Sequence, residues 1–320
     1  MNIVFFGSSN FAVPSLQALL TAGHNISGVI TQPDRQKDRG LHLAETEIKK
    51  VSQGAGLKIY QPQRINLPRE IKLLKGLHPD LFVIIAYGQI LSQEILNIPA
   101  IFSINLHASL LPKYRGAAPI NWAIINGEKI TGVTVIKLVK EMDAGPIILQ
   151  KAVDVDEQDT SVRLEEKLSF LAAELLLDSL KAIANNNFSL TPQDKNQVSF
   201  APRLKKEDGL INWRDSAVDI YNLIRGCLRW PGTFTYYHGK LLKIHRVRVM
   251  QAIPLQSKAP AGEIIKVSKE GIIVATGKDN LMIEELQREG KRIMKTEEFI
   301  AGHKICAGEM LSDKKDLHFK

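Results

Sequence analysis

The chain has 320 residues, of which 44% are hydrophobic and 24% charged, and this balance predicts a soluble globular protein with a sizeable core. The longest apolar runs, such as residues 81–86, are too short to span a bilayer, and the amino terminus MNIVFFG resembles a first strand rather than a secretory signal. The two cysteines, Cys227 and Cys306, are too few for a disulfide framework or a four-cysteine zinc site, so a reduced, cytoplasmic setting is expected.

The net charge of +8 is concentrated in the last third of the chain. Residues 1–202 carry 20 Lys and Arg against 19 Asp and Glu, whereas residues 203–320 carry 22 against 15. A nearly neutral part followed by a part with a charge of +7 indicates that the second part meets a polyanion such as a nucleic acid. A solvated basic surface without a partner is the alternative.

The first 150 residues alternate short apolar strands with amphipathic stretches, such as the helical pattern over residues 10–23 that ends at Gly23. This rhythm predicts an α/β domain with a doubly wound, mostly parallel, Rossmann-like sheet. A long helix is predicted over residues 160–186. The strands are predicted at Asn2–Phe6, Ile26–Thr31, Lys58–Gln61, Leu81–Ala86, Ile101–His107, Gly132–Val139 and Ile147–Val153.

The chain changes character after the long helix. Residues 184–209 are polar, poor in helix formers and contain two prolines, which is typical of a linker. A helix over Ser216–Arg225 and hairpins that turn at Gly239, Gly271 and Asp279 predict a small, OB-like β-barrel. The predicted organisation is a first domain over 1–186, a linker over 187–206 and a barrel domain over 207–320.

Three polar side chains mark a candidate site. Asn105 and His107 lie two residues apart at the carboxyl end of a core strand, where open parallel sheets gather ligands. An amide can donate to an oxygen that gains negative charge, and an imidazole can transfer a proton near neutral pH, which together suit acyl transfer to an amine. Asp143, in a turn between two strands, is the candidate carboxylate that orients the imidazole. An exposed polar strand end and an ordinary turn aspartate are the structural alternatives.

Two loops of small residues adjoin this strand end. RGAAP follows Tyr114, and AYGQI places Gly88 after Tyr87, so backbone groups can approach a flat ligand closely. Together the loops predict a slot for a planar ring. The first loop, GSSNFA, has Ser9 where a dinucleotide turn has its middle glycine, so no pyrophosphate site is predicted.

The segments INLHASLLPKYRGAAPINWAI and MDAGPI resemble the signature of the 10-formyltetrahydrofolate-dependent formyltransferases. Over almost its whole length the chain is similar to those members that formylate methionine on initiator tRNA, including FFGSSNFAVPSLQALL, TQPDRQKDRG, EDGLINW and RWPGTFTYY. After Arg39 and Gly40 the chain departs from the family, because it continues with LHLAETEIKK in place of a Lys-rich, Pro-containing run.

The resemblance implies a role for each site residue. Asn105 would hold the formyl oxygen of a tetrahedral intermediate, His107 would polarise it and handle the proton, and Asp143 would orient and charge His107. No metal, no tightly bound cofactor and no covalent enzyme intermediate is implied; 10-formyltetrahydrofolate is the cosubstrate. The residues that would contact folate are Ser109, Leu110, Leu111, Pro112, Tyr87 and Gly88.

The resemblance also implies initiator methionyl-tRNA as the partner, with no membrane and no obligate protein partner. Discrimination would fall to the loop that carries Arg35 and Arg39, while phosphates would meet basic residues at linker or barrel edges. These residues are Lys205, Lys206, Lys243, Arg246 and Arg248. Two alternatives stay open: a sugar-nucleotide N-formyltransferase of the amino-arabinose type, and a non-catalytic RNA-binding protein.

Overall fold

In a computed structural model, residues 1–37, 42–251 and 259–314 are described, and they fall into two units. The first unit is formed by residues 1–119, 130–154 and 163–202, and the second by residues 120–129, 155–162 and 203–320. Two short segments before residue 186 therefore belong to the second unit. No helix in the described ranges combines the length and the apolar character needed to cross a membrane.

The first unit is built on a seven-stranded sheet in the order β5-β2-β1-β6-β7-β8-β9. Its strands are β1 (Asn2–Gly7), β2 (Asn25–Ile30), β5 (Ile59–Tyr60), β6 (Leu81–Ile85), β7 (Phe102–His107), β8 (Ile130–Lys137) and β9 (Ile147–Asp154), and a separate hairpin joins β3 (Arg35–Lys37) to β4 (His42–Ala44). Its helices are α1 (Val13–Thr21), α2 (Glu47–Gly54), α3 (Pro68–Gly76), α4 (Gln93–Leu96) and nearly all of α6 (Ser161–Ala184), whereas α5 (Pro119–Ile125) lies almost wholly in a segment of the second unit.

Strand direction changes within this sheet. The five strands from β5 to β7 are parallel, whereas β8 and β9 are antiparallel to their neighbours. The central strand β6 is buried along its whole length, as expected for a parallel strand covered on both faces. The predicted mostly parallel sheet is confirmed, and the order of strands reverses between β1 and β6, where open α/β sheets bind ligands.

Part of the segment predicted as a linker, 187–206, packs on the first unit. Thr191 pairs with Ile147 at one end, and Phe200 pairs with Arg115 at the other. The backbone N–H of Arg115 donates to Ser199 O at 2.9 Å, and that of Ala201 donates to Arg115 O at 2.7 Å. The polar composition of this segment reflects a chain that is paired through its backbone along the surface, because such pairing needs few apolar side chains.

The second unit contains an antiparallel sheet in the order β12-β13-β14-β11-β10-β16. The strands are β10 (Thr233–Tyr237), β11 (Lys240–Met250), β12 (Ile264–Ser268), β13 (Gly271–Ala275), β14 (Asn280–Arg288), β15 (Met294–Lys295), which pairs with β14, and β16 (Leu311–Ser312). Helix α7 (Ala217–Gly226) precedes the sheet, and α8 (Thr296–Gly302) follows β15. Ser216 caps α7 by accepting from the N–H of Asp219, so this helix begins where the sequence predicts.

The two ends of this sheet meet, which closes it into the predicted barrel. Glu263, just before β12, pairs with Met310, just before β16, and the N–H of Ile264 donates to Glu309 O at 2.8 Å. The interior is mainly apolar, and buried polar side chains in it form hydrogen bonds: Trp213 Nε1 donates to Thr235 Oγ1 at 2.9 Å, and Thr233 and Thr296 donate to backbone carbonyls. Closure pairs the sheet edges that would otherwise be open to another chain.

Candidate active site

The carboxyl end of β7 presents Asn105 and His107 on one side, because side chains two apart along a strand share a face. Asn105 is half-buried and His107 is 6% exposed. His107 Nε2 lies 2.8 Å from the carbonyl oxygen of Tyr114. Since a carbonyl only accepts, Nε2 carries the hydrogen, and Nδ1 is the nitrogen at which the neutral ring can take up a proton.

Asp143 lies beside that second nitrogen. Its Oδ2 is 3.6 Å from His107 Nδ1 and accepts from the backbone N–H of Gly116 at 2.9 Å. The structure thus brings the predicted imidazole and carboxylate together. One hydrogen bond ties the His107 ring to the loop after β7, and a second ties the Asp143 carboxylate to the same loop.

The loop between β8 and β9 has to reach back to make this contact. Lys137, the last residue of β8, lies opposite Ile104, three residues before His107. The loop and the side chains of Asp143 and His107 must therefore span the roughly 10 Å along β7 that separate Ile104 from His107. Gly145 permits a tight return, because a Cβ there would lie 1.8 Å from Lys137 O.

Three of the seven non-glycine residues with positive φ in the described part of the chain lie in loops around this site. Asp143 has φ +52°, Tyr114 after β7 has φ +62°, and Ala86 after β6 has φ +46°. Non-glycine residues adopt this left-handed region at a cost that the surrounding structure has to offset, and such residues cluster at functional sites. The loop after β6, the loop after β7 and the returning loop between β8 and β9 thus each contain a residue of this kind.

The stretch after His107 is held by side-chain hydroxyls that donate to backbone carbonyls. Ser109 is fully buried and its Oγ donates to Lys113 O at 2.6 Å, while Thr134 Oγ1 donates to Ser109 O at 2.6 Å. Leu111 is 3% exposed, so the half-exposed side chains are those of Leu110 and Pro112. Of the four residues predicted to contact folate in this stretch, two present side chains outward and two serve the loop's own packing.

Tyr87 and Gly88 occupy different environments. The Tyr87 ring is 2% exposed in the core, 5.4 Å from the ring of Phe6, and burial raises the pKa of its hydroxyl. Its carbonyl accepts from Ser8 Oγ at 3.1 Å and from Gln32 Nε2 at 3.2 Å, which ties the ends of β1, β2 and β6 together. Gly88 is exposed. The loop can meet a ligand through Gly88 and neighbouring backbone, whereas the Tyr87 ring packs inward.

The basic residues of the second unit lie on exposed surfaces. Lys205 and Lys206 are exposed beside a 3₁₀ turn, and Lys243 is half-buried on β11. Arg246 and Arg248 follow on β11, with side chains 56% and 65% exposed. β11 is hydrogen-bonded to both β10 and β14, so the prediction that Lys243, Arg246 and Arg248 lie at a barrel edge is wrong. The strand has a neighbour on each side, and the Arg246 and Arg248 side chains are exposed on its outer face.

Glutamates of the neighbouring strand match the charge of those arginines. Arg246 Nε lies 3.1 Å from Glu284 Oε2, and Arg246 Nη2 lies 3.2 Å from Glu285 Oε1. Arg248 Nη2 donates to Glu284 Oε1 at 2.5 Å. The register of β11 against β14 brings these side chains together, and sequence counts of charge do not reveal it.

The basic loop of the first unit is described in part. Arg35 begins β3, whereas Arg39 lies outside the described residues. Before the loop, Asp34 accepts from Lys49 Nζ at 2.5 Å and from Gln61 Nε2 at 2.7 Å. The hydrogen bond from Lys49 is the main cause that lowers the pKa of Asp34. An ion pair between Asp34 and Lys49, a residue of the LHLAETEIKK segment, therefore holds the base of this loop.

Several residues that hold the site carry no sequence signal of their own. Thr134 and Gln150 brace the loop after β7, since Gln150 Nε2 donates to Thr134 Oγ1 at 2.8 Å. The carbonyl of Tyr114 and the N–H of Gly116 act through backbone atoms. Gln193 lies in the segment interpreted as a linker.

Within the described ranges, no group of three or more His, Cys, Asp or Glu side chains is placed to hold a metal ion.

Comparisons with known proteins bear on this arrangement. A family model described as "Formyl transferase" matches residues 1–180, and one described as "Formyl transferase, C-terminal domain" matches residues 203–304. A methionyl-tRNA formyltransferase from Thermodesulfovibrio yellowstonii is 47% identical over 306 residues, which cover 96% of this chain and 97% of that protein.

Two solved structures share the fold. A sugar 3N-formyl transferase, WlaRD, solved in the presence of dTDP and 5-N-formyl-THF, superposes with a TM-score of 0.66 at 21% identity, covering 91% of this chain and 99% of the other. HypX from Aquifex aeolicus, solved in complex with tetrahydrofolic acid, gives a TM-score of 0.63 at 18% identity over 94% of this chain and 47% of HypX, so the chain spans about half of that protein. Together with the site geometry, the two family matches and the 47% identical relative establish that the chain belongs to the formyltransferase family, among the methionyl-tRNA formyltransferases.

Proposed function

We propose that the protein transfers the formyl group of 10-formyltetrahydrofolate to the amino group of methionine on initiator tRNA. The observation that carries the chemistry is the distance of 3.6 Å between His107 Nδ1 and Asp143 Oδ2, on the side of β7 that also presents Asn105. The observation that carries the acceptor is the near full-length similarity to a protein named methionyl-tRNA formyltransferase.

The reaction needs stabilisation of negative charge on one oxygen. When the amine attacks the formyl carbon, a carbon–nitrogen bond forms and the formyl oxygen becomes an oxyanion in a tetrahedral intermediate. The Asn105 amide would donate a hydrogen bond to this oxygen as its charge develops. Such donors lower the barrier most when they are held in place beforehand, and the end of a sheet strand provides that rigidity.

The reaction also needs transfer of a proton. The attacking nitrogen loses a proton, and the folate nitrogen gains one when its bond to the formyl carbon breaks. His107 would hold this proton at Nδ1, because Nε2 already donates to Tyr114 O at 2.8 Å. Asp143 would stabilise the imidazolium that results, and its own bond from Gly116 N–H keeps the carboxylate facing the ring.

The folate cosubstrate would bind at the loops beside the trio. The exposed Gly88, the half-exposed Leu110 and Pro112, and backbone groups of the intervening loops would line a slot for the pterin ring. Ser109, Leu111 and Tyr87 would support these loops from within, because their side chains are buried.

The tRNA would meet positive charge on the second unit and the loop of the first. Lys205, Lys206, Arg246 and Arg248 are exposed and would contact phosphates, with the half-buried Lys243 beside them. Arg35 and Arg39 would contribute from the loop after β2. A cytoplasmic location follows as an expectation from this substrate.

A direct assay tests the proposal. Purified protein with 10-formyltetrahydrofolate is offered initiator methionyl-tRNA, elongator methionyl-tRNA or an amino-sugar nucleotide, and formylated product is quantified. We expect transfer to methionine, with initiator tRNA preferred over elongator tRNA. Formylation of the sugar nucleotide alone would assign the sugar-nucleotide alternative, and binding of tRNA without any transfer would assign a non-catalytic role.

A further inference from the structure

The catalytic carboxylate belongs to a loop that another part of the chain holds in place. Gln193 Nε2 donates to Asp143 O at 2.7 Å and to Gly145 O at 2.8 Å. Gln193 Oε1 accepts from Arg115 Nε at 3.0 Å and from Arg115 Nη2 at 2.7 Å. A side-chain amide has two hydrogens to donate and two lone pairs to accept with, so this amide is fully used.

This saturation fixes the orientation of the amide. A rotation of the amide by half a turn would point its oxygen at two carbonyl oxygens and its NH₂ group at a guanidinium, and both contacts would be repulsive. Gln193 is half-buried, whereas residues 191, 192 and 194–197 around it are exposed. The one inward-facing side chain of this stretch thus ends on the loop that carries Asp143.

The bonds form a closed ring through the site. Arg115 and Gly116 are adjacent: the N–H of Gly116 holds the Asp143 carboxylate at 2.9 Å, and the guanidinium of Arg115 holds Gln193, which holds the Asp143 carbonyl. Asp143 is therefore fixed at both its side chain and its backbone. Because its φ is +52°, a conformation that an isolated residue rarely keeps, the backbone contacts have a strain to offset.

We propose that Gln193 is a positioning residue that acts through Asp143, holding the carboxylate next to His107 Nδ1. The inference rests on the proposed formyl transfer and extends it to a segment outside the strand-end signature. Loss of the two N–H donations would let the β8–β9 loop relax, and the carboxylate would move away from the ring. A misplacement of about 1 Å at a reacting group can cost on the order of 100-fold in rate.

A matched pair of charge-changing variants tests this role. Gln193→Glu keeps an oxygen for Arg115 but replaces the donating NH₂ with an oxygen that faces two carbonyls. Gln197→Glu makes the same change four residues away, where Gln197 Nε2 donates only to Asp194 Oδ2 on an exposed surface. We expect Gln193→Glu to lower kcat by about 10- to 100-fold with little change in KM for either substrate, and Gln197→Glu to leave both unchanged.

Two further measurements separate positioning from general damage. In an Asp143→Asn background, Gln193→Glu is expected to add little further loss, because the two residues act through one carboxylate. Amide hydrogen exchange over residues 139–146 is expected to rise in Gln193→Glu and not in Gln197→Glu, and this readout needs no substrate. Gln193→Met, neutral and similar in length, repeats the test if the glutamate variant folds poorly.

The outcomes distinguish this inference from the proposed function. An active wild type with an equally active Gln193→Glu variant would overturn the positioning role, as would a fully multiplicative loss in the Asp143→Asn background or unchanged exchange of the loop. A wild-type protein that formylates no acceptor would overturn the proposed function, and the exchange measurement would then still decide whether Gln193 holds the loop.

Discussion

The loop cluster at the end of β7 and the outer face of β11 use polar groups in opposite ways. At the strand end, His107 is 6% exposed, and its ring, the Asp143 carboxylate and the loop backbone are joined by short contacts to neutral groups. On β11, Arg248 has a side chain 65% exposed and reaches a glutamate across the sheet. The first arrangement fixes atoms in place, and the second presents charge.

The energetic consequences differ accordingly. An exposed ion pair contributes about 0–1 kcal/mol, so the arginine–glutamate network costs little to rearrange when a phosphate competes for the guanidinium. A buried imidazole that loses its partners leaves polar atoms unsatisfied, at about 1–3 kcal/mol each. The strand end is thus suited to a reaction that tolerates little movement, and the face of β11 to a partner recognised through its backbone charge.

Removal of the imidazole or the amide is the strongest way to test the first half of this comparison. General acid–base groups contribute about 10²- to 10⁴-fold and single oxyanion donors on the order of 10²- to 10³-fold. His107→Ala and Asn105→Ala are therefore expected to lower kcat by these factors in the formylation assay. Because neither change removes a lysine or arginine, tRNA affinity measured by filter binding is expected to stay near that of the wild type, and normal turnover of both variants would refute the assignment.

Substitution of the β11 arginines tests the second half. The double variant Arg246→Ala, Arg248→Ala is expected to weaken tRNA binding and to reduce the slope of log affinity against log salt concentration by roughly one for each phosphate that is no longer neutralised. Folate binding is expected to be unchanged. A salt slope equal to that of the wild type would show that this face does not contact phosphates.

The paired glutamates provide a control of opposite sign. Glu284 lies within 3.1 Å of Arg246 and 2.5 Å of Arg248, with its side chain 14% exposed. Glu284→Gln removes a negative charge without removing either guanidinium, so it is expected to tighten tRNA binding. Weakened binding in this variant would mean that the glutamate is needed to orient the arginines, and charge would then not be the property that matters.

The smallest expected effect concerns the base of the loop after β2. The pKa of Asp34 is lowered from its ordinary 3.8, first by the hydrogen bond from Lys49 and then by that from Gln61. A lowered folded-state pKa gives stability that is present above the unfolded value and is lost as pH falls through the folded one. The difference in thermal midpoint between wild type and Asp34→Asn is therefore expected to be present at pH 7 and to shrink below about pH 4; a difference independent of pH would exclude the ion pair as its source.

The sequence by itself determined the layers and the reactive groups. Apolar runs such as Leu81–Ile85 have to be buried on both faces, which requires a parallel sheet covered by helices, and alternation at period two puts Asn105 and His107 on one side of a strand. The sequence also predicted the turns near Gly239 and Asp279, because residues that tolerate positive φ interrupt the alternating strands there.

Only the tertiary structure decided how those groups meet. The reach of the β8–β9 loop back to His107, the inward packing of Tyr87 and the pairing of Arg246 with Glu284 each depend on contacts between residues far apart in sequence. Nothing in the sequence distinguishes Gln193 from other polar residues of the predicted linker, and only the folded chain brings it to Asp143, 50 residues away. Local patterns report backbone preference and burial, whereas the register of neighbouring strands and the path of a loop are set by the packing of the whole unit.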